Sequence, residues 1–479
     1  MRVLENIEPK RVFEIFEDFT KIPHGSGNTD KISKYCENFA KERNLFYIRD
    51  KAGNVFIRKE AAKGYENSTP VILQGHLDMV CEKEEECEVD FEKDALSISV
   101  NGDFVSANGT TLGADNGLCA AMILALLEDE TLKAPKIEAV FTTDEETGMD
   151  GATFFDTKIL SSNKMINLDS EDEGIFTVSC AGGARAKIEI FTKREMLAAP
   201  CYNLKIDGLS GGHSGVEIIK GGANASVLMA RVLSKLSEEE LFLLCDIKGG
   251  SKDNAITTLC EAKILCDADL SDFILETENE LKEELKDTDP FLSLSIEKIS
   301  EDEEVSVISR EDTERAVSLL QLFPQGVIKM SEDIKGLVQT SLNLGILNSN
   351  EEKITVGFSI RSSVSAEKEK IKSYLKNLCD IYGAEISFSG EYPAWEYKKD
   401  SELREKMIET FEKVYGYLPK VEAIHAGLEC GIFAGKIENL DCVSCGPQIF
   451  DIHTPKEKFS ISSAQKFYLF LKKYLEKSK

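Results

Sequence analysis

Five short stretches, far apart in the chain, each set a metal-binding side chain just beyond an apolar run. They are GHLDMV at 75–80, TLGADNG at 111–117, TTDEETG at 142–148, INLDS at 166–170 and FDIHTP at 450–455. Together they offer His76, Asp115, Glu146, Asp169 and His453, two imidazoles and three carboxylates. If the runs are neighbouring strands, the set can hold two divalent cations sharing a carboxylate, a centre that activates water for hydrolysis. Imidazole and carboxylate without thiolate point to zinc, with manganese or cobalt as substitutes. Two dications with three ionised acids leave a charge of about +1, suited to hydroxide, an anionic intermediate or a substrate carboxylate.

The neighbours of these ligands carry further chemistry. His76 and Asp78 are two apart on a strand and face the same way. The Asp78 carboxylate is then expected to accept the imidazole N–H turned away from the metal. Alone, H-x-D is an ordinary strand end. Asp115 lies between glycines ahead of an apolar helix, where it reads either as an N-cap or as a loop-tip carboxylate bridging two cations. Glu145 and Glu146 point in opposite directions if their segment is extended. We read Glu146 as the ligand and Glu145 as the general base, with the exchanged roles as the alternative.

The chain has five histidines, and four lie in glycine- or acid-flanked motifs. Within GLSGGHSG, His213 is either a solvated turn residue or an oxyanion donor carried by a second domain, with Asn254 as an assistant. Arg361 ends a strand in FSIRSS. It is either a surface ion pair or a clamp for a substrate carboxylate through two parallel hydrogen bonds. His24, in KIPHGSGN, and His425 carry no assignment.

These residues need a scaffold that brings strand ends together. Residues 1–183 alternate helices (RVFEIFEDFTKI, ISKYCENFAKERNL, GLCAAMILALLED) with strands (NVFIRK, VILQGH, IEAVFTT, KMINLD). That alternation indicates an α/β domain, a mixed and mostly parallel sheet between helices, with ligands bound beyond the carboxyl ends of the strands. From 184 to 390 the texture changes to alternating half-exposed strands such as ARAKIEIFTK and KITVGFSIRSS, an inserted α+β domain. The α/β texture returns at 391–479, where His453 lies, so the catalytic domain is expected to be discontinuous, 1–183 with 391–479.

Bulk properties narrow the function. At 479 residues two domains are expected, and a net charge of −28 argues against nucleic acid. Thirteen scattered cysteines in mostly apolar stretches do not form a secreted disulfide framework, which points to a reducing cytosol. The pair Cys442 and Cys445 reads as two buried strand cysteines rather than a zinc knuckle. The N-terminal segment carries acids through its apolar pattern, unlike a signal peptide or anchor. The expectation is a soluble, cytoplasmic enzyme with neither membrane nor nucleic-acid partners.

The strings GHLDMVCEK, GADNG, DEETGMDGA, NLDSEDEG, GLSGGHSG, HAGLECG and HTPKEKFS together resemble the co-catalytic zinc peptidases of the carboxypeptidase-like and dipeptidase clan. They are similar above all to the bacterial aminoacyl-histidine dipeptidases, also called cytosol non-specific or Xaa-His dipeptidases. The resemblance spans nearly the whole chain. It implies a zinc-peptidase-like α/β domain with an inserted α+β lid, two zinc ions per subunit, and hydrolysis of small unblocked dipeptides; a homodimer rests on family grounds alone. Residue by residue, it implies His76 and Asp169 on one ion, Glu146 and His453 on the other, and Asp115 between them. Asp78 supports His76, and Glu145 activates water. His213, Asn254 and Arg361 resemble the lid residues that meet the reacting carbonyl and the C-terminal carboxylate. Gly427 falls where backbone closes on substrate, and Glu429 is the candidate for the substrate ammonium. The rival readings are an N-acyl amino acid deacylase on the same scaffold and a catalytically silent metal-binding homologue.

Overall fold

The computed structural model describes residues 2–479, which form two compact units. One comprises residues 2–180, 397–423 and 428–479; the other comprises 181–396 and 424–427. No helix among the described residues is long and apolar enough to cross a membrane.

The first unit is built on an eight-stranded sheet. Its order runs Phe46–Arg49, Val55–Lys59, Ile137–Thr142, Val71–His76, Lys164–Asn167, Asp441–Ser444, Ile175–Cys180 and Lys420–Ile424. Four central strands, from Ile137–Thr142 through Asp441–Ser444, are parallel. Antiparallel pairing flanks them on both sides. The parallel strands Val71–His76 and Ile137–Thr142 are buried along their whole lengths, which explains why they read as continuous apolar runs rather than alternating ones.

Helix Ala114–Glu128 is buried on all sides through residue 127, so its sequence carries no polar face. Helix Lys10–Phe19 is amphipathic. It turns Val12, Phe13, Ile15, Phe16 and Phe19 inward, and the rings of Phe16 and Phe19 close over Gly117. Each such side chain contributes on the order of 1.5–3 kcal/mol through removal from water.

A small four-stranded sheet positions the C-terminal segment. Strands Ile449–Phe450 and Lys458–Ser460 flank the loop that carries His453, and Lys458–Ser460 pairs with Phe104–Ala107. Residues 451–457 are thereby anchored at both ends beside the strand that leads into the Asp115 loop.

The second unit is a nine-stranded sheet whose registered strand pairs are all antiparallel. Gly182–Phe191 shows the buried–exposed alternation of a sheet covered on one face. The buried faces of helices Ala225–Glu239, Arg310–Leu322 and Ser365–Tyr382 supply apolar residues to the core over that sheet.

Candidate metal centre

Two of the parallel strands end level with one another, and a third ends two residues earlier. Register pairs His76 with Thr142 and Gln74 with Asn167, so the residues just beyond Thr142 and Asn167 emerge beside His76. A crevice beyond the carboxyl ends of parallel strands is the usual ligand site of such sheets. Asp115 enters from the start of the buried helix. Its φ and ψ of −82° and 104° are not helical, the Asp115–Asn116 peptide is cis, and no side chain caps this helix from the preceding residue. His453 arrives from the anchored C-terminal loop with a left-handed φ of 59°.

The side chains meet closely. Asp115 Oδ1 lies 3.2 Å from His76 Nε2, and Asp115 Oδ2 lies 3.3 Å from His453 Nε2. Asp169 Oδ1 stands 3.3 Å from His76 Nε2, and Glu146 Oε1 stands 3.0 Å from His453 Nε2. The ligand atoms form three compact groups, His76–Asp115–Asp169, Asp115–Glu146–His453 and His76–Glu145–Glu146, with Asp115 shared by the first two. Two imidazoles and three carboxylates divided in this way fit a pair of divalent cations with one shared acid.

Electrostatics follow from this crowding. Burial opposes a charge on His76, yet Asp169, Asp115 and Asp78 together push its pKa well above the ordinary value. Hydrogen bonds donated to Asp115 and Glu146 push His453 up to about 10. Burial also opposes ionisation of Asp115, but His453 and His76 more than offset it and hold the carboxyl below its usual range. Asp169 is raised by burial and by the charge of Asp115.

Asp78 does more than its spacing foretells. The hydrogen bond of His76 Nδ1 goes to the Asp78 main-chain carbonyl at 2.9 Å, while the carboxylate lies farther off at 3.5 Å. That bond makes Nδ1 the donor and leaves Nε2 free for a metal. The carboxylate instead accepts Ser26 Oγ–H at 2.8 Å and the backbone N–H groups of Glu145 and Glu146 at 3.1 and 3.3 Å. Residues 145–148 form a turn, entered through Asp144 at φ 55°, not the extended segment the sequence implies. Asp78 therefore holds the turn that presents both glutamates. Burial, and then the charges of Asp169, Glu429 and Glu146, push Glu145 up to about 9.

Further residues support the site, and of these Asn116 and Glu457 escape sequence reading. Asn116 Nδ2–H donates to the Leu168 carbonyl at 2.6 Å and to Asp169 Oδ1 at 3.0 Å. Gly75 must lack a side chain there, because a Cβ would come within 2.3 Å of Asn116 Oδ1. Glu429 is fully buried and accepts Gln74 Nε2–H at 2.5 Å and Thr142 Oγ–H at 2.8 Å. Its other oxygen has no hydrogen-bond partner among the described residues. Glu457, within the motif HTPKEKFS, is buried against the Asp115 loop. Only its position four residues beyond His453 could have pointed to it.

The remaining candidates lie in the second unit, except the cysteine pair Cys442 and Cys445 in the first. His213 sits on a two-stranded ladder opposite Ala255, and the Asn254 carbonyl accepts the Ser214 N–H at 2.9 Å. His213 Nδ1 accepts the N–H groups of Gly215 and Val216 at 3.2 and 3.4 Å, which leaves the neutral ring with its proton on Nε2. Burial and the Arg361 charge lower its pKa. Arg361 donates to the Tyr392 hydroxyl at 3.2 Å, and its buried Nε has no hydrogen-bond partner among the described residues. The Tyr392 ring packs against Gly427, where a Cβ would come within 2.8 Å of it. His425 is buried with Nε2 2.7 Å from Ser341 Oγ. Cys442 and Cys445 are buried, with Cys442 Sγ 3.7 Å from Cys430 Sγ.

The family model of the peptidase family M20/M25/M40 matches residues 72–477. The cytosol non-specific dipeptidase of Escherichia coli K12 is 36% identical over 482 residues, covering 99% of each chain. The crystal structure of the aminoacylhistidine dipeptidase of Vibrio alginolyticus is similar at a TM-score of 0.93 and 35% identity, over 99% of this chain and 97% of that one. The aminopeptidase PepT of Bacillus cereus, at 14% identity and a TM-score of 0.58 over 98% and 99% of the two chains, shares the fold.

Proposed function

The chain belongs to the peptidase family M20/M25/M40, and from that premise we propose that it is a di-zinc dipeptidase acting on Xaa-His and other unblocked dipeptides. One observation carries the reading. The two oxygens of Asp115 face two different imidazoles, each with its own second carboxylate. The names of the Escherichia coli and Vibrio alginolyticus relatives supply the substrate class. The thirteen free cysteines and the name of the Escherichia coli relative support a cytosolic location.

In this proposal His76 and Asp169 hold one ion, Glu146 and His453 the other, and Asp115 both. Zinc bound there would polarise the peptide carbonyl and lower the pKa of a water. Glu145 takes the proton of that water and returns it to the leaving amine, yielding one free carboxylate and one free amine. The raised pKa of Glu145 belongs to the ion-free protein, and nearby cationic charge favours its ionised form. Asp78 keeps the base in place through the backbone of the 145–146 turn. His213 serves as a neutral Nε2–H donor to the developing oxyanion, with Asn254 beside it. Arg361 pairs with the substrate carboxylate, Gly427 supplies backbone, and Glu429 offers its unpartnered oxygen to the substrate ammonium.

Turnover of an Xaa-His dipeptide and of its N-acetylated form, each with added zinc, tests the proposal. Hydrolysis of the free dipeptide alone supports it. Preference for the acetylated compound indicates a deacylase, and hydrolysis of neither indicates a silent metal-binding homologue.

A further inference from the structure

The loop that carries Asp115 is held by a residue outside the proposed ligand set. Glu457 is only 2% exposed, and its carboxylate collects four backbone N–H groups. Oε2 accepts those of Leu112 and Gly113 at 2.7 and 3.1 Å, and Oε1 accepts those of Ala114 and Asp115 at 2.8 and 3.2 Å. These donors lie at the start of a buried helix that has no side-chain cap of its own, where unmatched N–H groups are costly and a negative charge is favoured. Glu457 is also tied to His453. Its N–H donates to the Thr454 carbonyl at 3.1 Å, and Thr454 Oγ–H donates to the Asp451 carbonyl at 2.7 Å. One carboxylate thus joins the backbone of Asp115 to the short turn that presents His453.

We propose that Glu457 is a positioning residue of the metal centre, fixing Asp115 and His453 relative to each other before any ion arrives. The proposal rests on the metal-binding reading above. It separates Glu457 from an ordinary helix cap. A cap stabilises the fold and leaves ion affinity alone, whereas a positioning residue sets the affinity of the ion shared by Asp115, Glu146 and His453. Loss of a supporting group around metal ligands typically weakens binding about 10–100-fold.

The test titrates zinc alone into metal-free wild type and E457Q by calorimetry with a competing chelator. Thermal unfolding of both metal-free proteins and hydrogen exchange of the wild type accompany it. The glutamine keeps the size of the side chain but turns an NH2 group toward one pair of N–H donors. Two sites in the wild type, with one weakened about 10–100-fold in E457Q, support the proposal. So does slow exchange of the amides of 112–115 in the metal-free wild type. Equal zinc affinities with only a lowered unfolding temperature would make Glu457 a cap and overturn it. Amides of 112–115 that become protected only after zinc is added would also overturn it, and that reading survives even if E457Q fails to fold. Absence of zinc binding by the wild type removes the metal-centre reading itself.

Discussion

His453 and Glu146, 307 positions apart in the chain, stand 3.0 Å apart between imidazole Nε2 and carboxylate Oε1. The small sheet of residues 98–107, 449–450 and 458–460 makes that meeting possible. Without it, the C-terminal histidine would hang on an unanchored loop.

Glu145→Gln should lower kcat about 10²–10⁴-fold, the usual share of a general base, while zinc content stays at two ions per chain. Steady-state kinetics and elemental analysis of the same preparation check this. Loss of an ion from this variant would exchange the roles of Glu145 and Glu146.

Asp115→Ala removes the acid common to the His76–Asp169 and Glu146–His453 groups. The expected outcome is loss of both ions at micromolar free zinc, with far-UV circular dichroism retained because the apolar remainder of its helix stays buried. A variant that keeps two ions would remove Asp115 as the shared ligand.

Zinc uptake should release protons. The acids around His76 and His453 raise both imidazole pKa values, that of His453 to about 10, so at neutral pH these nitrogens carry protons that a metal must displace. Apparent affinity therefore rises with pH, by up to about tenfold per pH unit for each proton displaced. Calorimetry in two buffers of different ionisation enthalpy counts the protons. A count of zero contradicts the arrangement.

The strand-end placement of His76, Glu145, Glu146 and Asp169 was legible because each follows an apolar run, and a fully buried parallel strand leaves that signature. What happens after the strand ends was not. Whether Asp78 uses its carboxylate or its carbonyl toward His76 depends on the 145–148 turn, whose two N–H groups claim the carboxylate. Asn116 follows Asp115 with no signal of its own in the sequence, although its amide donates to Asp169. Glu457 lies in a lysine-rich string that resembles solvated surface, and a buried carboxylate fed by four backbone donors leaves no periodicity to detect. Nor does sequence spacing report the tautomer of His213, which two local N–H groups decide.

The second unit should lose stability in acid through His425. Burial and the Arg361 charge push its pKa down to about 4, from 6.5 in the unfolded chain. The folded state therefore binds fewer protons between those values. The stabilisation is complete above pH 6.5 and lost as pH falls through about 4, a change of about 3 kcal/mol. Urea unfolding of metal-free protein at pH 7 and pH 4, wild type against His425→Gln, checks this. The acid-induced loss should be smaller in the variant by roughly that amount, and equal losses would contradict the assignment.

The central claim is that side chains from both ends of the chain build one two-metal centre around Asp115. An anomalous difference map of zinc-loaded crystals tests it most directly. Two peaks about 3.5–4 Å apart are expected, one beside His76 and Asp169, the other beside Glu146 and His453, with Asp115 touching both. A single peak, or a pair that leaves His453 without an ion, would contradict it.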